Sequence, residues 1–145
     1  MSERGESKLK KQKHHMNCPY CGAPAICRPA SMIHGGNTWQ KDTFLYVCSR
    51  WPECDSYVTA HKYSLKPMGS MANKSLRSKR MQAHRAIDEL RRCRHMDTWA
   101  VYVWIQMKMD LPPDKAHIGM FSEEMCDRLI SICRASLRTE RIQAA

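Results

Sequence analysis

The sequence predicts an α+β protein, with a small cysteine-rich antiparallel sheet at the N-terminus and a unit of three helices after it. Five of the eight cysteines fall before residue 55. Runs of β-forming residues lie beside the paired cysteines, and the second half carries apolar residues at helical spacing. With 145 residues, the chain has room for one ordinary domain or for two small modules that share little core.

Composition and charge exclude several classes of protein. No apolar run approaches the roughly 18 residues that a membrane span needs, and the basic N-terminus lacks the apolar core of a secretory signal. Lys and Arg number 24 against 14 Asp and Glu, which gives a net charge of +10. We therefore expect a cytoplasmic protein with no membrane partner and no small-molecule substrate, and the charge favours an anionic partner.

The cysteines form two pairs with the spacing of zinc ligands. The first pair lies in Cys-Pro-Tyr-Cys-Gly at residues 18–22, and the second lies in Cys-Ser-Arg-Trp-Pro-Glu-Cys at residues 48–54. In a reducing compartment, eight cysteines favour a metal or buried thiols over disulfides. Two residues between cysteines let a tight turn direct both thiolates at one ion, and Gly22 tolerates the positive φ that such a turn often needs.

These spacings predict one structural zinc ion, Zn²⁺, with four thiolate ligands. Four thiolates close a tetrahedral site, so no position stays open for a substrate. Because no nucleophile–base motif appears elsewhere, we also expect no enzyme activity. Cys27, His34 or His61 is an alternative for one of the ligands. The predicted set is Cys18, Cys21, Cys48 and Cys54.

The cysteine-containing segment resembles the four-cysteine zinc ribbon at the C-termini of bacterial type IA topoisomerases. The resemblance covers residues 18–54 and rests on a Cys-x2-Cys-Gly turn and on a Cys-x5-Cys turn that contains the step Trp51-Pro52-Glu53. The linker between the pairs, with its tip at residues 34–37, is longer here than in those ribbons. Since those ribbons are associated with single-stranded DNA, the resemblance implies a ribbon that binds single strands.

A second resemblance covers residues 17–134 and is to a family of small phage and prophage proteins that contain a zinc finger. It rests on a zinc ribbon followed by a Tyr-Val…His-Lys stretch, a Pro-x-Gly-x-x-Ala-Asn helix start, an Ala-His helix and a His-Ile-Gly-Met-Phe turn. The resemblance implies a phage-type protein in the cytoplasm of a bacterial host. It implies an architecture and no particular reaction.

The chain is predicted to divide into four segments. Strands are predicted over residues 43–47 and 56–60, each beside a cysteine pair. Pro67 and Gly69 indicate a break between the two halves. The segments are a disordered basic tail at 1–16, the ribbon at 17–64, a linker at 65–72 and a helical domain with a basic first helix at 73–145.

Three helices are predicted in the last segment. The first begins after an N-cap at Asn73, ends near Arg92 and buries one apolar face. The second covers residues 96–109 with Asp97 as its N-cap; its Val, Tyr and Trp content also suits a strand, and the second resemblance favours a helix. The third begins after a cap at Ser122. The apolar face of the first helix consists of Leu76, Ala83, Ile87 and Leu90.

The charge and the aromatic residues favour binding to nucleic acid. Residues 65–95 carry nine basic against two acidic side chains, and the ribbon interleaves aromatic and basic residues. Aromatic rings stack on unpaired bases for about 1–3 kcal/mol each, while neighbouring cations hold the phosphates. DNA is favoured over RNA, and single strands over duplex. The residues predicted to bind are Arg50, Trp51, Lys62, Lys74, Arg77, Arg85 and Arg92.

The alternative function is a protein-interaction module that binds and modulates a host enzyme or a defence complex. Such a module would use an exposed apolar patch, although the same residues also suit the core of three packed helices. The candidates are Trp99, Trp104, Met107 and Met109.

The sequence also leaves open whether the C-terminal half holds a second metal site. Its ligands would come from Cys93, His95, His117 and Cys126.

Overall fold

The structure, a computed structural model, describes residues 14–35 and 42–144, with side chains as far as residue 139. The chain divides into two compact units, Met1–Lys74 and Ser75–Ala145. The first contains a three-stranded antiparallel sheet, and the helices follow it in the chain. The predicted α+β class is confirmed.

The sheet of the first unit has the strand order β1-β2-β3. Strand β1 is Ala25–Pro29, β2 is Phe44–Cys48 and β3 is Tyr57–Thr59. Neighbouring strands are antiparallel, and the register pairs Ala25 with Cys48. The two strands predicted beside the cysteine pairs are β2 and β3, each displaced or shortened by a residue at its ends.

A short helix, α1 at Ser31–His34, follows β1. It ends at Gly35, whose φ of 84° is one that a glycine adopts readily. The sequence did not predict this helix. Residues 36–41, which include half of the predicted tip at 34–37, lie outside the described part of the chain.

Strand β2 is central, and its buried side chains alternate between the two faces of the sheet. Leu45 and Val47 belong to one apolar cluster. Tyr46 belongs to another, together with Ala60 and Leu65. The core of this unit therefore lies on both faces of a single strand.

The segment predicted as a linker contributes to this core. Leu65 and Met71 are buried, and Ala72 exchanges two backbone hydrogen bonds with Tyr57, at 3.1 and 3.0 Å. A sheet of three short strands needs cover to be stable on its own. Residues 65–72 supply part of that cover, so the proline and glycine within them do not indicate a free connection.

The end of the predicted N-terminal tail is also attached to the first unit. The His14 N–H donates a hydrogen bond to the Tyr46 hydroxyl at 3.0 Å, and the Met16 carbonyl accepts one from the Ala25 N–H at 2.9 Å. The rest of that tail, residues 1–13, lies outside the described part of the chain.

Three longer helices follow the sheet. They are α2 at Lys74–Arg94, α3 at Thr98–Met109 and α4 at Glu123–Ala144. Two short 3₁₀ turns, Pro113–Lys115 and Ile118–Met120, connect α3 to α4. All three predicted helices form, and the apolar segment that also suited a strand is helical.

The capping residues of α3 and α4 act as predicted. The Asp97 carboxylate accepts a hydrogen bond from the Ala100 N–H at 2.8 Å, and the Ser122 hydroxyl accepts one from the Met125 N–H at 3.2 Å. Each satisfies a backbone donor that the first turn of a helix leaves unpaired. None of the helices among the described residues is long and apolar enough to cross a membrane.

Each long helix buries one side. The predicted apolar face of α2 is fully formed, and α3 buries residues at four-residue intervals, which is helical spacing. Helix α4 buries five residues of its inward face in the part whose side chains the structure describes, as far as residue 139. The buried residues are Leu76, Ala83, Ile87 and Leu90 in α2, Val101, Ile105 and Met109 in α3, and Cys126, Leu129, Ile130, Cys133 and Leu137 in α4.

Basic side chains of α2 hold it to the start of α4. The Lys79 ammonium lies 2.6 Å from a carboxylate oxygen of Asp127. The Arg80 guanidinium donates two hydrogen bonds to the Phe121 carbonyl, from Nε at 3.1 Å and from Nη2 at 3.0 Å. Part of the positive charge of α2 therefore has a structural role.

Candidate metal centre

The first cysteine turn begins at Cys18, shortly before β1. The Gly22 N–H donates to the Cys18 carbonyl at 2.8 Å, and the Cys18 N–H donates to the Ala23 carbonyl at 2.8 Å. Gly22 has the positive φ that was predicted, at 80°. The Tyr20 N–H donates to the Cys18 sulfur at 3.4 Å, so the turn directs a backbone donor at a predicted ligand.

The second cysteine turn begins at Cys48, the last residue of β2. The Trp51 N–H donates to the Cys48 carbonyl at 2.9 Å, and the Cys54 N–H donates to the Arg50 carbonyl at 3.0 Å. The Arg50 N–H donates to the Cys48 sulfur at 3.4 Å. The two turns thus share one device, an N–H···S hydrogen bond from the residue two positions after the first cysteine.

Together the turns bring four sulfur atoms to one point. The sulfurs of Cys21 and Cys48 are 3.4 Å apart, those of Cys18 and Cys54 are 3.6 Å apart, and all four lie within 4.8 Å of one another. With metal–sulfur bonds of about 2.3 Å, a tetrahedral zinc site places its sulfurs about 3.8 Å apart. The cluster therefore has the dimensions of a site for one zinc ion.

None of the three alternative ligands belongs to this group, which consists of the four predicted cysteines among the residues described. The His34 ring packs edge-on against Tyr57, with ring centroids 5.8 Å apart. Cys27 lies in β1 opposite Tyr46, and His61 is exposed. The geometry selects the four-thiolate set from the alternatives that the sequence left open.

The four sulfurs differ in their affinity for a proton. Burial raises the pKa of Cys18, but the nearby Ser56 hydroxyl and two backbone N–H groups outweigh burial and lower that pKa to about 6. Burial and the three neighbouring sulfurs raise the pKa of Cys54 to about 12. Four thiolates this close repel one another, and a divalent cation replaces that repulsion with attraction. The donor set fits a zinc ion, which would hold all four sulfurs as thiolates.

One side of the cluster is apolar and the other faces solvent. Cys18 and Cys48 are buried with Met71, whereas Cys21 is exposed. Ser56 is fully buried beside the cluster. Sequence reasoning did not identify Met71 or Ser56, because neither belongs to a ligand motif and Met71 lies in the segment predicted as a linker.

The fold and the cysteine cluster define a four-cysteine zinc ribbon that is followed in the chain by a helical unit. The chain belongs to the family of zinc-finger-containing domains, whose family model matches residues 14–136. The match covers all four cysteines and most of the helical unit, and it confirms the resemblance to a zinc-finger-containing family. No curated protein and no solved structure matches the chain. The protein therefore contains a zinc-binding domain.

The cysteines and histidines of the helical unit form no second ligand group in the part of the chain that the structure describes. Cys93 is exposed, whereas Cys126 is buried. The His117 ring packs edge-on against Tyr102, with centroids 5.2 Å apart. These side chains have separate environments rather than a shared centre.

The residues predicted to bind nucleic acid differ in exposure. Trp51 is half-buried and packs against the cluster that contains Leu45 and Val47, so part of its ring belongs to the core. Arg77 is also half-buried. The exposed members of the predicted set are Arg50, Lys62, Lys74, Arg85 and Arg92.

The aromatic residues of the first unit divide between core and surface. Tyr46 is fully buried, and its hydroxyl donates to the Leu65 carbonyl at 2.6 Å. Tyr20 and Tyr63 are 46% and 73% exposed. Trp39 lies outside the described residues. Among the described residues, the rings that remain accessible at the surface are thus mainly tyrosines, and Trp51, which the sequence favoured, is half-buried.

Proposed function

We propose that the protein is a phage-type nucleic-acid-binding protein that acts in the cytoplasm of a bacterial host and has no enzymatic activity. One zinc ion per chain would stabilise the first unit, since a closed set of four thiolates leaves no position for a substrate. The observation that carries the proposal is the exposed basic side of α2.

Two arginines lie on that side of the helix. Arg85 and Arg92 are exposed, and their separation of seven residues is close to two helical turns, or about 10 Å along the axis. Ala83 and Leu90, on the opposite side, are fully buried. Lys74 is exposed at the first position of the helix. Cations repeated at this interval suit a polyanion with regularly spaced phosphates.

Three other basic residues of α2 make contacts within the helical unit. Lys79 and Arg80 bond to the start of α4, and the Arg94 guanidinium contacts the Ser136 hydroxyl. These three cations stabilise the helical unit. Arg85 and Arg92 instead face solvent, which is where a nucleic-acid ligand would meet them.

A shallow groove beside this surface adds a third arginine. Arg85 and Arg134 line the groove together with Glu89, and the groove has a volume of about 250 Å³. Arg134 is exposed on α4. Sequence reasoning did not identify it, because the basic and acidic residues of the C-terminal segment nearly balance.

The first unit offers an aromatic and cationic pair of its own. Tyr63 is 73% exposed, and the Lys62 ammonium lies 5.6 Å from the centre of its ring. A ring that can stack on a base, next to a cation that can hold a phosphate, suits single-stranded nucleic acid. This pair and the resemblance to topoisomerase ribbons support single-stranded DNA as the preferred ligand.

Fluorescence anisotropy of the zinc-loaded protein tests the proposal, with matched single- and double-stranded DNA and RNA oligonucleotides at two salt concentrations. Reversing the charge of Arg85 and Arg92 together should weaken binding several-fold. The salt dependence should also flatten, by about 0.7 to 0.9 in logarithmic slope for each phosphate that the variant no longer neutralises. If the variant binds with the affinity of the wild type at both salt concentrations, this surface is excluded.

A matched control separates a local contact from the effect of net charge. Lys115 and Arg128 are both exposed in the helical unit, and reversing them changes the net charge by the same amount. The control should retain most of the affinity and the full salt dependence. If both double variants lose affinity equally, the binding is a general charge effect and α2 is not the binding surface.

The alternative, a module that binds a host enzyme or defence complex, rests on the outer side of α3. Trp99 and Met107 are 73% and 74% exposed, whereas Met109 is buried and Trp104 is half-buried. A partner bound there would be lost when Trp99 and Met107 are changed to alanine and kept when Arg85 and Arg92 are reversed. The opposite pattern favours nucleic acid.

A further inference from the structure

Ser56 has an unusual position for a polar side chain. It is fully buried, and its hydroxyl has no hydrogen-bond partner among the residues that the structure describes. A buried hydroxyl that is left unpaired costs about 1–3 kcal/mol. Such a group in a stable core is expected to have a partner in the working form of the protein.

The backbone of Ser56 is fixed to the cysteine cluster. Its N–H donates to the Cys54 carbonyl at 3.0 Å, and its carbonyl accepts a hydrogen bond from the Cys48 N–H at 2.9 Å. Two predicted ligands therefore hold the residue in place. Both backbone bonds of Ser56 are therefore made to residues of the centre.

The hydroxyl lies beside the sulfur of a third ligand, Cys18. A neutral thiol is a weak acceptor, so a hydroxyl next to it gains little from an O–H···S contact. A thiolate is a much better acceptor, because hydrogen bonds to an ionised partner are roughly twice as strong as neutral ones. A zinc ion would hold this sulfur as a thiolate.

We propose that Ser56 supports the metal centre by donating a hydrogen bond from its hydroxyl to the Cys18 thiolate when zinc is bound. The buried hydroxyl, which has no partner among the described residues, then has one in the loaded centre. Ser56 thereby favours the loaded form and orients Cys18 toward the ion. Cys18 would then receive this hydroxyl in addition to the Tyr20 N–H. The inference rests on the assignment of the four cysteines as zinc ligands.

The first test measures zinc affinity by competition with a chromophoric chelator, using the full-length protein. Ser56→Ala removes the hydroxyl and little volume, and loss of such an outer-shell partner typically lowers metal affinity about 10- to 100-fold. The control is Ser49→Ala, because Ser49 lies next to Cys48 in the same turn and is only half-buried. The control should stay within about twofold of the wild type, since a half-buried hydroxyl still reaches water and leaves no buried group unpaired when it is removed. An unchanged or higher affinity for Ser56→Ala would overturn the inference.

The second test separates a hydrogen bond to sulfur from simple packing. With Co²⁺ in place of zinc, a hydrogen bond to the thiolate stabilises the sulfur electrons and raises the energy of the sulfur-to-cobalt charge-transfer band. Ser56→Ala should therefore move this band to lower energy, and Ser49→Ala should not. An unshifted band in Ser56→Ala together with faster zinc loss would overturn the inference in favour of a packing role.

The outcomes distinguish the inference from the zinc assignment beneath it. If the wild-type protein takes up neither zinc nor cobalt, the metal centre itself is refuted, and the role of Ser56 with it. If the wild type binds both metals and Ser56→Ala matches it in affinity and spectrum, only the role of Ser56 is refuted. A tenfold loss of affinity with a shifted band supports both.

Discussion

The sulfur of Cys48, at the end of β2, lies 3.4 Å from the sulfur of Cys21 in the first cysteine turn. The two residues are 27 positions apart in the sequence. Their contact closes the loop that contains β1, α1 and β2, so a metal ion held between them would fix the sheet as well as the turns. The free energy of zinc binding would therefore also contribute to the folding of this unit.

Replacing one ligand should therefore remove both the metal and the fold of the first unit. We expect Cys48→Ser to abolish stoichiometric zinc binding, since a hydroxyl is a poor substitute for a thiolate at a closed site. The helical signal in circular dichroism should largely survive, because the helical unit has a buried core of its own. Zinc content by elemental analysis, together with the far-ultraviolet spectrum, measures both effects.

The control for this variant is Cys27→Ser. Cys27 lies in β1 of the same unit and outside the sulfur group, so its loss should leave the zinc content unchanged. Full zinc content in Cys48→Ser, or equal loss in both variants, would contradict the ligand set.

The paired hydrogen bonds from Arg80 to the Phe121 carbonyl predict a large effect on stability. Arg80→Gln should lower the free energy of unfolding of the helical unit by about 1.5–3 kcal/mol, the range for a hydrogen bond from a charged donor. Urea unfolding followed by helical circular dichroism measures the change. Arg92→Gln is the control, because an exposed side chain usually changes stability by less than about 0.5 kcal/mol. Equal effects would show that Arg80 is not a structural contact.

The secondary structure of this protein could be predicted largely from local pattern. The apolar spacing of Leu76, Ala83 and Ile87 specifies one face of a helix wherever the helix packs, and all three are buried. The segment that became α3 is apolar on nearly every side, so its periodicity could not decide between helix and strand. Its N-cap at Asp97 marks the start of a helix independently of that pattern.

The segment around Met71 shows where local pattern is insufficient. Pro67 and Gly69 are typical of a linker, yet the neighbouring Leu65 and Met71 are buried. Whether such residues cover a sheet depends on how much apolar surface the strands leave exposed. That quantity is a property of the assembled unit and cannot be read from a short window of sequence.

The metal centre could likewise be predicted only in part. The ligands could be predicted because two short turns each bring a pair of cysteines together, and turns are local. The position of Ser56 could not, because it depends on hydrogen bonds to Cys48 and Cys54 that form when the turn closes. The exposure of Trp51 was likewise decided by β2, which buries part of its ring.

Burial of Cys133 predicts a pH dependence of stability. Burial, and then the charge of Glu89, raise the pKa of this thiol from 9.0 to about 11. Because the folded pKa lies above the unfolded one, the stabilising contribution is complete below about pH 9 and is lost as the pH rises through about 11. The loss amounts to about 2–3 kcal/mol. Urea unfolding at several pH values between about 8 and about 11 measures the slope of stability against pH.

The comparison variants for this effect are Cys133→Ala and Cys93→Ala. Cys133→Ala should be less stable at neutral pH, because it leaves a small cavity, and its stability should fall less steeply at alkaline pH. Cys93→Ala should keep the wild-type slope, because Cys93 is exposed. A wild-type slope in Cys133→Ala would contradict the assignment.

Exposure and metal binding together predict the order in which the eight cysteines react with an alkylating agent. Cys93 is exposed and should be modified first, whereas Cys126 and Cys133 are buried and should react only when the helical unit unfolds. Cys21 is also exposed, but zinc would hold its sulfur as a ligand and slow its reaction. Mass spectrometry of the peptides after brief alkylation, with and without a chelator, gives the order.

Chelation should make Cys21 reactive and leave Cys126 protected, because the metal stabilises only the first unit. Rapid modification of Cys21 before chelation would show that the thiolate is not coordinated, and reaction of Cys126 on chelation would show that the helical unit also depends on the metal.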